Sequence, residues 1–381
     1  MALVELGLIL HFEKGKKPIS QSDSPADGFL PYVDIEAFET GKIKQYTDGT
    51  KCTPCDDGDI LIVCDGSRSG LVGRAVKGYV GSTLAKISAD CLSDQYLFHF
   101  VQGKYALLNT KKKGTGTPHL NQELLKQQKL IVPSYSEQER IVARIEELFS
   151  QLDAGVETLK KTKAQLAVYR QAVLKEAFSD CDDSVTMGSV ATMIDPQPSH
   201  RTPPEFENGI PYIGIGDIDY NGKTIRFKNA RKVNPSVYED HLQRYTLRDG
   251  DFVMGKIGTI GKPFRLPLPQ NYTLSANVIL IQPDAGKINP EYLFWQFSSP
   301  LITEQLMEGK NETSQPAFGI QKARLLRIKM CSPKDQYRIV YSIREKISVC
   351  ENIEQTVTLS LQQAEAMRQR ILKDAFEGKL T

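Results

Sequence analysis

The sequence predicts two mixed α/β (α+β) domains in a pseudo-two-fold arrangement, joined by two long α-helices that form a coiled coil. Three observations predict it: an internal repeat, a long apolar stripe in one part of each repeat, and strand-like runs set among glycine and proline in the other. The repeat is clearest at its end. YRQAVLKEAF at 169–178 returns as MRQRILKDAF at 367–376, matching at Arg170/Arg368, Gln171/Gln369, Leu174/Leu372, Lys175/Lys373, Ala177/Ala375 and Phe178/Phe376. Upstream, Gln138 to Val142 meets Gln336 to Val340, Tyr96-Leu97-Phe98 meets Tyr292-Leu293-Phe294, Gly58-Asp59 meets Gly250-Asp251, and Pro31-Tyr32-Val33 meets Pro211-Tyr212-Ile213. The offset drifts through the first part of each repeat and holds constant in the second. One part therefore varies in length and the other does not.

The constant part reads as helix. Apolar residues at Ile141, Ile145, Leu148, Leu152, Leu159, Leu166, Tyr169 and Val173 keep a spacing of three to four. The second copy places Ile339, Ile343, Ile347, Cys350, Val357, Leu361, Ala364, Met367 and Ile371 in the same way. No proline interrupts 136–178 or 334–376, and Ser136 and either Ser332 or Asp335 are the expected N-caps. Weak points fall at Gly155, Thr162 and Glu354. A straight helix of this length spans about 64 Å, and two matching stripes in one chain can pair with each other. The variable parts contain GDILIVC (58–64), GDFVMGKI (250–257) and NVILIQP (277–283), which read as strands. Each then carries a short-helix start, Ser93-Asp94-Gln95-Tyr96 or Asn289-Pro290-Glu291-Tyr292, the latter with a capping Asn and Pro at the first helical position. The expected segments are 1–135, 136–178, 179–333 and 334–381.

Composition narrows the function classes. The chain has 381 residues, with 48 Lys+Arg against 46 Asp+Glu, 40% hydrophobic and 25% charged. That is globular composition, and a net charge of +2 argues against a polybasic binder while leaving room for a local basic face. No apolar run is long enough to span a membrane, and no positive region precedes the first apolar residues, so neither a span nor a signal peptide is expected. Seven scattered cysteines fit a reducing compartment. The expected location is cytoplasmic.

Several fragments imitate catalytic motifs and fail on detail. Asn289-Pro290-Glu291-Tyr292 has Glu where an amino-methyltransferase signature has Pro, and the helix-start reading explains both copies. Gly255 to Pro263 misses phosphate-loop spacing, with Pro263 where a metal-binding hydroxyl belongs. Cys52-Thr53-Pro54-Cys55, with Cys64 and Cys91 beyond, lacks a well-spaced second pair for zinc. His11, His99, His119, His200 and His241 form no ligand cluster. What remains are polar, glycine-rich loops at corresponding places: Asp65 to Arg74 against Gly255 to Arg265, and Lys111 to Asn121 against Lys310 to Pro316. Lys and Arg suit phosphates, while Ser, Thr, Asn, Gln and His can hydrogen-bond base edges.

The whole arrangement resembles the specificity subunit of type I restriction–modification systems. The resemblance is carried by the alternating order of domains and helices. It is carried equally by the helix openings Ser-Glu-Gln-Glu-Arg-Ile-Val (136–142) and Asp-Gln-Tyr-Arg-Ile-Val (335–340), and by the ends Ala-Val-Leu-Lys-Glu-Ala-Phe (172–178) and Ile-Leu-Lys-Asp-Ala-Phe-Glu-Gly-Lys-Leu (371–380). It covers essentially the entire chain. It implies a non-catalytic subunit with two target-recognition domains, each reading one half of a bipartite, asymmetric site in double-stranded DNA. The two long helices would pair antiparallel, set the spacer and dock two methyltransferase subunits, with restriction and translocase subunits as further partners. No cofactor is expected on this chain; S-adenosylmethionine, ATP and Mg2+ would belong to the partners. The expected DNA contacts are Arg68, Arg74, Lys112, Lys113, Thr117 and His119 in the first domain. In the second they are Lys256, Thr259, Lys262, Arg265, Ser314 and Gln315. Two other readings stand beside this one: the specificity chain of a type II restriction–methylation system, and a coiled-coil adaptor that binds no DNA.

Overall fold

The structure, a computed structural model, describes residues 3–114, 116, 118–256, 260–309 and 318–380. Two compact units make it up: Met1–Lys160 with Thr358–Thr381, and Lys161–Val357. These units cut across the four segments read from the sequence, because each long helix contributes its two ends to different units.

In the first unit a four-stranded antiparallel sheet runs in the order Leu10–Lys14, Leu84–Ala89, Ile60–Val63, Val72–Arg74. The strand Ile60–Val63 is buried along its whole length, and its alternation shows why. Ile60 and Ile62 join the cluster around Tyr96, Leu97 and Phe100 of the helix Asp94–Gly103. Leu61 and Val63 join Val33 and Val80 of a second sheet, ordered Tyr46–Thr47, Leu30–Val33, Gly78–Val80, Pro54–Cys55. A strand covered on both faces has no polar side to show, which is why it reads as a continuous apolar run. Gly58, at φ 88°, makes the turn into this strand in a conformation side chains rarely adopt.

The second unit repeats the plan. Its sheet runs Ala191–Ile194, Val278–Pro283, Phe252–Gly255, Pro263–Arg265. Phe252 and Met254 pack toward Tyr292 and Phe297 of the helix Pro290–Phe297, and Val253 packs toward Ile213 and Leu274 on the opposite face. Ile210–Ile213 pairs in parallel with Thr273–Leu274, as Leu30–Val33 does with Gly78–Val80. Gly250 turns at φ 88°, like Gly58. Asn289 caps its helix, accepting from the Glu291 and Tyr292 amides at 2.9 and 3.2 Å, and Ser93 caps the other through the Tyr96 amide at 3.3 Å.

The long helices are Tyr135–Ala177 and Pro333–Phe376. The first begins one residue ahead of Ser136, which therefore lies inside the opening turn rather than capping it. In the second, Ser332 is the cap, its hydroxyl accepting from the Asp335 amide at 3.2 Å, with Pro333 following. In the first unit Ile145 and Phe149 meet Leu372 and Ala375, and Asp153 meets Arg368, so the two helix segments run antiparallel. In the second unit Leu174 and Phe178 share a core with Val340, Ile343 and Ile347. The apolar stripe misplaces one position in each copy. Tyr169 and Met367 are 50% and 55% exposed, and the inward place belongs to the next residue, Arg170 or Arg368. Arg170 pairs with Glu354 at 2.8 Å, and Arg368 pairs with Asp153 while covering the Phe149 ring at 4.4 Å. An arginine stem packs as hydrocarbon while its head finds a carboxylate, which a stripe of apolar letters does not register.

Each domain is tied to the helix that follows it by one buried glutamine. Gln138 accepts from the Ser93 amide at 2.7 Å and donates to the Cys91 and Pro133 carbonyls at 2.8 and 3.1 Å. Gln336 accepts from the Asn289 amide at 2.8 Å and donates to the Cys331 carbonyl at 3.1 Å. Neither is appreciably exposed. The end of each long helix adds an aromatic contact: Phe376 stands edge-on to Tyr96 and Phe100, and Phe178 to Tyr292.

Replacing Gln336 with Leu strands two buried backbone groups at about 1–3 kcal/mol each. Gln336→Leu should therefore lose about 3 kcal/mol in chemical denaturation, and a loss within error of zero would remove the clamp from the account. Acid should also weaken both units. His99 and His241 are buried, and burial holds both imidazoles below their ordinary range. His241 is further held by Thr273 Oγ1 at 2.5 Å and Gln197 Oε1 at 2.6 Å. The unfolded chain takes up protons near pH 6.5 that the folded chain refuses. Their contribution is complete above about pH 6.5 and shrinks as pH falls below it, so melting temperature should drop between pH 7.5 and 5.5. His99→Gln with His241→Gln should flatten that drop.

Candidate nucleic-acid interface

Beyond Val63 the first unit's central strand runs into Asp65 and a short loop with Gly66 and Gly70 at φ 108° and 94°. Buried Ser69 closes the loop on itself, donating to the Gly66 carbonyl at 2.8 Å. A second loop lies against it. The Gly66 amide donates to the Pro118 carbonyl at 2.8 Å, and the Leu120 amide to the Cys64 carbonyl at 2.7 Å. Lys112 Nζ donates to the Ser67 carbonyl at 2.8 Å, and Asn109 Nδ2 to the same oxygen at 2.9 Å. Lys113 and His119 exchange backbone hydrogen bonds at 2.9 and 2.8 Å. The two loops thus form one surface at one end of the sheet.

At its centre, Asp65 accepts from Lys14 Nζ at 3.0 Å and from His119 Nδ1 at 2.7 Å. Burial pushes this carboxyl up, but the bonds from His119 and Lys14 outweigh it and hold the group below the usual carboxylate range. Arg68 pairs with Glu39 nearby.

The second unit is built alike. Lys256 follows the central strand, its amide donating to the Asn277 carbonyl at 2.8 Å and its carbonyl accepting from the Phe318 amide at 2.9 Å. Its ammonium meets Asp195 at 2.9 Å, and His200 lies 3.9 Å from the same carboxylate. Lys262 lies over the Tyr220 ring at 4.3 Å, and Tyr220 donates to the Lys262 carbonyl at 3.1 Å. A polar cavity of about 250 Å³ opens in this unit, lined among others by Tyr212, Arg231, Ser275 and Asn277.

Of the residues expected to contact DNA, the structure gathers Arg68, Lys112, Lys113 and His119 at the loop end of the first unit, and Lys256 at the corresponding place in the second. Arg74 and Arg265 sit at the other end of their hairpins, opposite Ile60 and Phe252. Each stacks on a helix ring, Arg74 on Phe98 at 4.4 Å and Arg265 on Phe294 at 4.1 Å. Arg74 also reaches Gln95 Oε1 at 2.6 Å, and Arg265 reaches Glu291 Oε1 at 3.2 Å. Both arginines fasten hairpin to helix. Thr117, Thr259, Ser314 and Gln315 lie outside the described residues. Lys14, Asp65, Asp195 and His200 were not among the expected contacts; they emerge only when the strands of the two repeats are laid in register. Among the described residues no group of three or more His, Cys, Asp or Glu is arranged to hold a metal ion. Burial pushes the Cys55 thiol up to about 11 and the Cys64 thiol up to about 12.

Residues 1–167 match the family described as the type I restriction modification DNA specificity domain. The chain as a whole is similar to type I restriction enzyme specificity subunits. It is 24% identical to the MjaVIII specificity subunit of Methanocaldococcus jannaschii, over 99% of this chain and 92% of that one. It is 21% identical to the EcoBI specificity subunit of Escherichia coli, over 85% and 74%. A solved chain from work on complex assembly and conformational transition of the type I R-M system has the same fold, with a TM-score of 0.74 at 18% identity over 99% and 98%. The HsdS subunit from Thermoanaerobacter tengcongensis matches with a TM-score of 0.50 at 18% identity over 99% and 97%.

The stacked arginines should separate stability from binding. Arg265→Ala removes a cation–π contact and a partly exposed ion pair, together about 1–2 kcal/mol. Thermal unfolding should report that loss while DNA affinity stays unchanged; a large fall in affinity at unchanged stability would move Arg265 into the interface.

Proposed function

We propose that this chain is the DNA sequence-specificity subunit of a type I restriction–modification complex. The observation that carries the reading is one sheet topology used twice, with different polar loops hung from the same strand ends. Residues 1–135 and 179–333 each read one half of a bipartite, asymmetric site in double-stranded DNA. Segments 136–178 and 334–381 fix the distance between the halves; a rod of about 64 Å spans nearly two turns of duplex at about 34 Å each.

The helices also dock two methyltransferase subunits. Tyr337, Tyr341 and Val349 stay exposed on the second long helix, and large apolar side chains left in water support a protein partner. The chain performs no chemistry and holds no cofactor. Methyltransferase partners bring S-adenosylmethionine, restriction and translocase partners bring ATP and Mg2+, and the assembly works in the cytoplasm. Internally paired cations support the same division, because the partners then supply most of the grip on phosphate.

Exchange of residues 184–333 for the corresponding domain of a relative, in the assembled methyltransferase, should change one half of the methylated site and leave the other half and the spacer intact. Methylation-sensitive sequencing reads the result. A change in both halves would overturn the assignment of one domain to each half.

A further inference from the structure

Each unit holds one lysine, one aspartate and one histidine at the same corner of its sheet, with the charges exchanged between strands. In the first unit the lysine ends the outer strand, as Lys14, and the aspartate follows the central strand, as Asp65. In the second the aspartate follows the outer strand, as Asp195, and the lysine follows the central one, as Lys256. Strand register places Lys14 and Asp195 in correspondence and sets Lys256 level with Cys64, one residue before Asp65. Lys14 lies opposite Ala85, which also faces Ile62; Ile194 lies opposite Leu280, so the next residue, Asp195, comes opposite Ile279, which faces Met254. The closing bonds show the same one-residue offset, since Leu120 donates to Cys64 where Phe318 donates to Lys256. The ion pairs are partly buried, with Asp65 at 19%, Asp195 at 17% and Lys256 at 15% exposure. Exchanging such a pair takes two substitutions, each of which alone leaves a shielded charge without its partner.

A lysine cancelled by an aspartate is a poor phosphate anchor. What the pair does is hold a carboxylate in place, and that carboxylate holds a histidine. Asp65 can only accept, so His119 Nδ1 carries the proton, and in the neutral ring Nε2 keeps its lone pair. His119 is 55% exposed, with Lys14 and Asp65 behind it. His200 is 60% exposed beside Asp195 and sits at φ 52°, a backbone conformation that side chains seldom adopt. An imidazole acceptor held this way matches the exocyclic amino group of adenine or cytosine in the major groove.

We infer that His119 is a base-reading residue of the first domain, and that Asp65, braced by Lys14, is the residue that positions it. This inference rests on the DNA-reading function proposed above.

The test uses the complex assembled with its methyltransferase partners, and duplex libraries randomised at each half-site. Asp65→Asn offers an amide N–H to Nδ1, so the ring turns over to the other tautomer and Nε2 becomes a donor. The variant should lose about tenfold discrimination at one base pair of one half-site, with preference moving from an amino-bearing base toward an acceptor such as guanine. The other half-site should be unchanged, and affinity for unrelated DNA should hold or rise, since a negative charge has gone. Full discrimination in this variant at wild-type melting temperature overturns the inference, because an ion pair that merely ties strand ends together would not change base preference. His119→Ala covers a variant that fails to fold: the ring is exposed, so the protein keeps its stability and should lose the same base pair, and full discrimination there also overturns the inference. Absence of any sequence preference in the wild-type complex overturns the DNA-reading function and this inference with it.

Discussion

A side-chain amide, buried in the opening turn of each long helix, holds the rest of the structure in register. Gln138 and Gln336 each take one backbone amide from the start of a domain helix and give protons to carbonyls of the connecting segment. Buried backbone groups left without partners are costly, so the helix can enter only at the angle that satisfies them all. The aromatic residues at the far ends of the helices then close on the same domain helices, Phe376 on Tyr96 and Phe178 on Tyr292. The hydrogen bonds of both glutamines go to main chain. They therefore make no demand on the side chains of the reading loops, and those loops can differ freely between the two repeats while the attachment stays the same.

The architecture was legible because it follows from periodicity and repetition. Ile60 to Val63 and Phe252 to Gly255 read as buried strands because both faces are covered, and Asn289-Pro290 read as a helix start because cap and first turn share one chemistry. The pairing of the two long helices was legible from two matched stripes. Tyr169 and Met367 were misread because Arg170 and Arg368 pack as hydrocarbon through most of their length. Arg74 and Arg265 looked like loop cations, yet the rings they stack on, Phe98 and Phe294, belong to helices further along the chain. The Asp65 cluster joins residues from three separate segments, and the Asp195 cluster from two. No local pattern marks such a set; only the strand register does.

Near-neutral charge takes on a specific meaning here. The cations at the loop ends are not a loose positive field. Lys14, Arg68 and Lys256 are each matched by a carboxylate, and Lys112 is spent on loop carbonyls. A surface of this kind adheres weakly to unrelated DNA, because phosphate attraction is the term that ignores sequence.

The first compact unit is discontinuous in the chain: Met1–Lys160 is completed by Thr358–Thr381. On the ribosome the domain that emerges first must wait for the whole of the second unit to be made before Leu372 and Phe376 arrive to cover Ile145, Phe149 and Tyr96. The second unit is continuous and has no such delay, although its strands lie nearer the C-terminus. Order of synthesis and order of maturation are thus reversed, and the nascent first domain carries an open apolar flank for the longest interval of any part of the molecule.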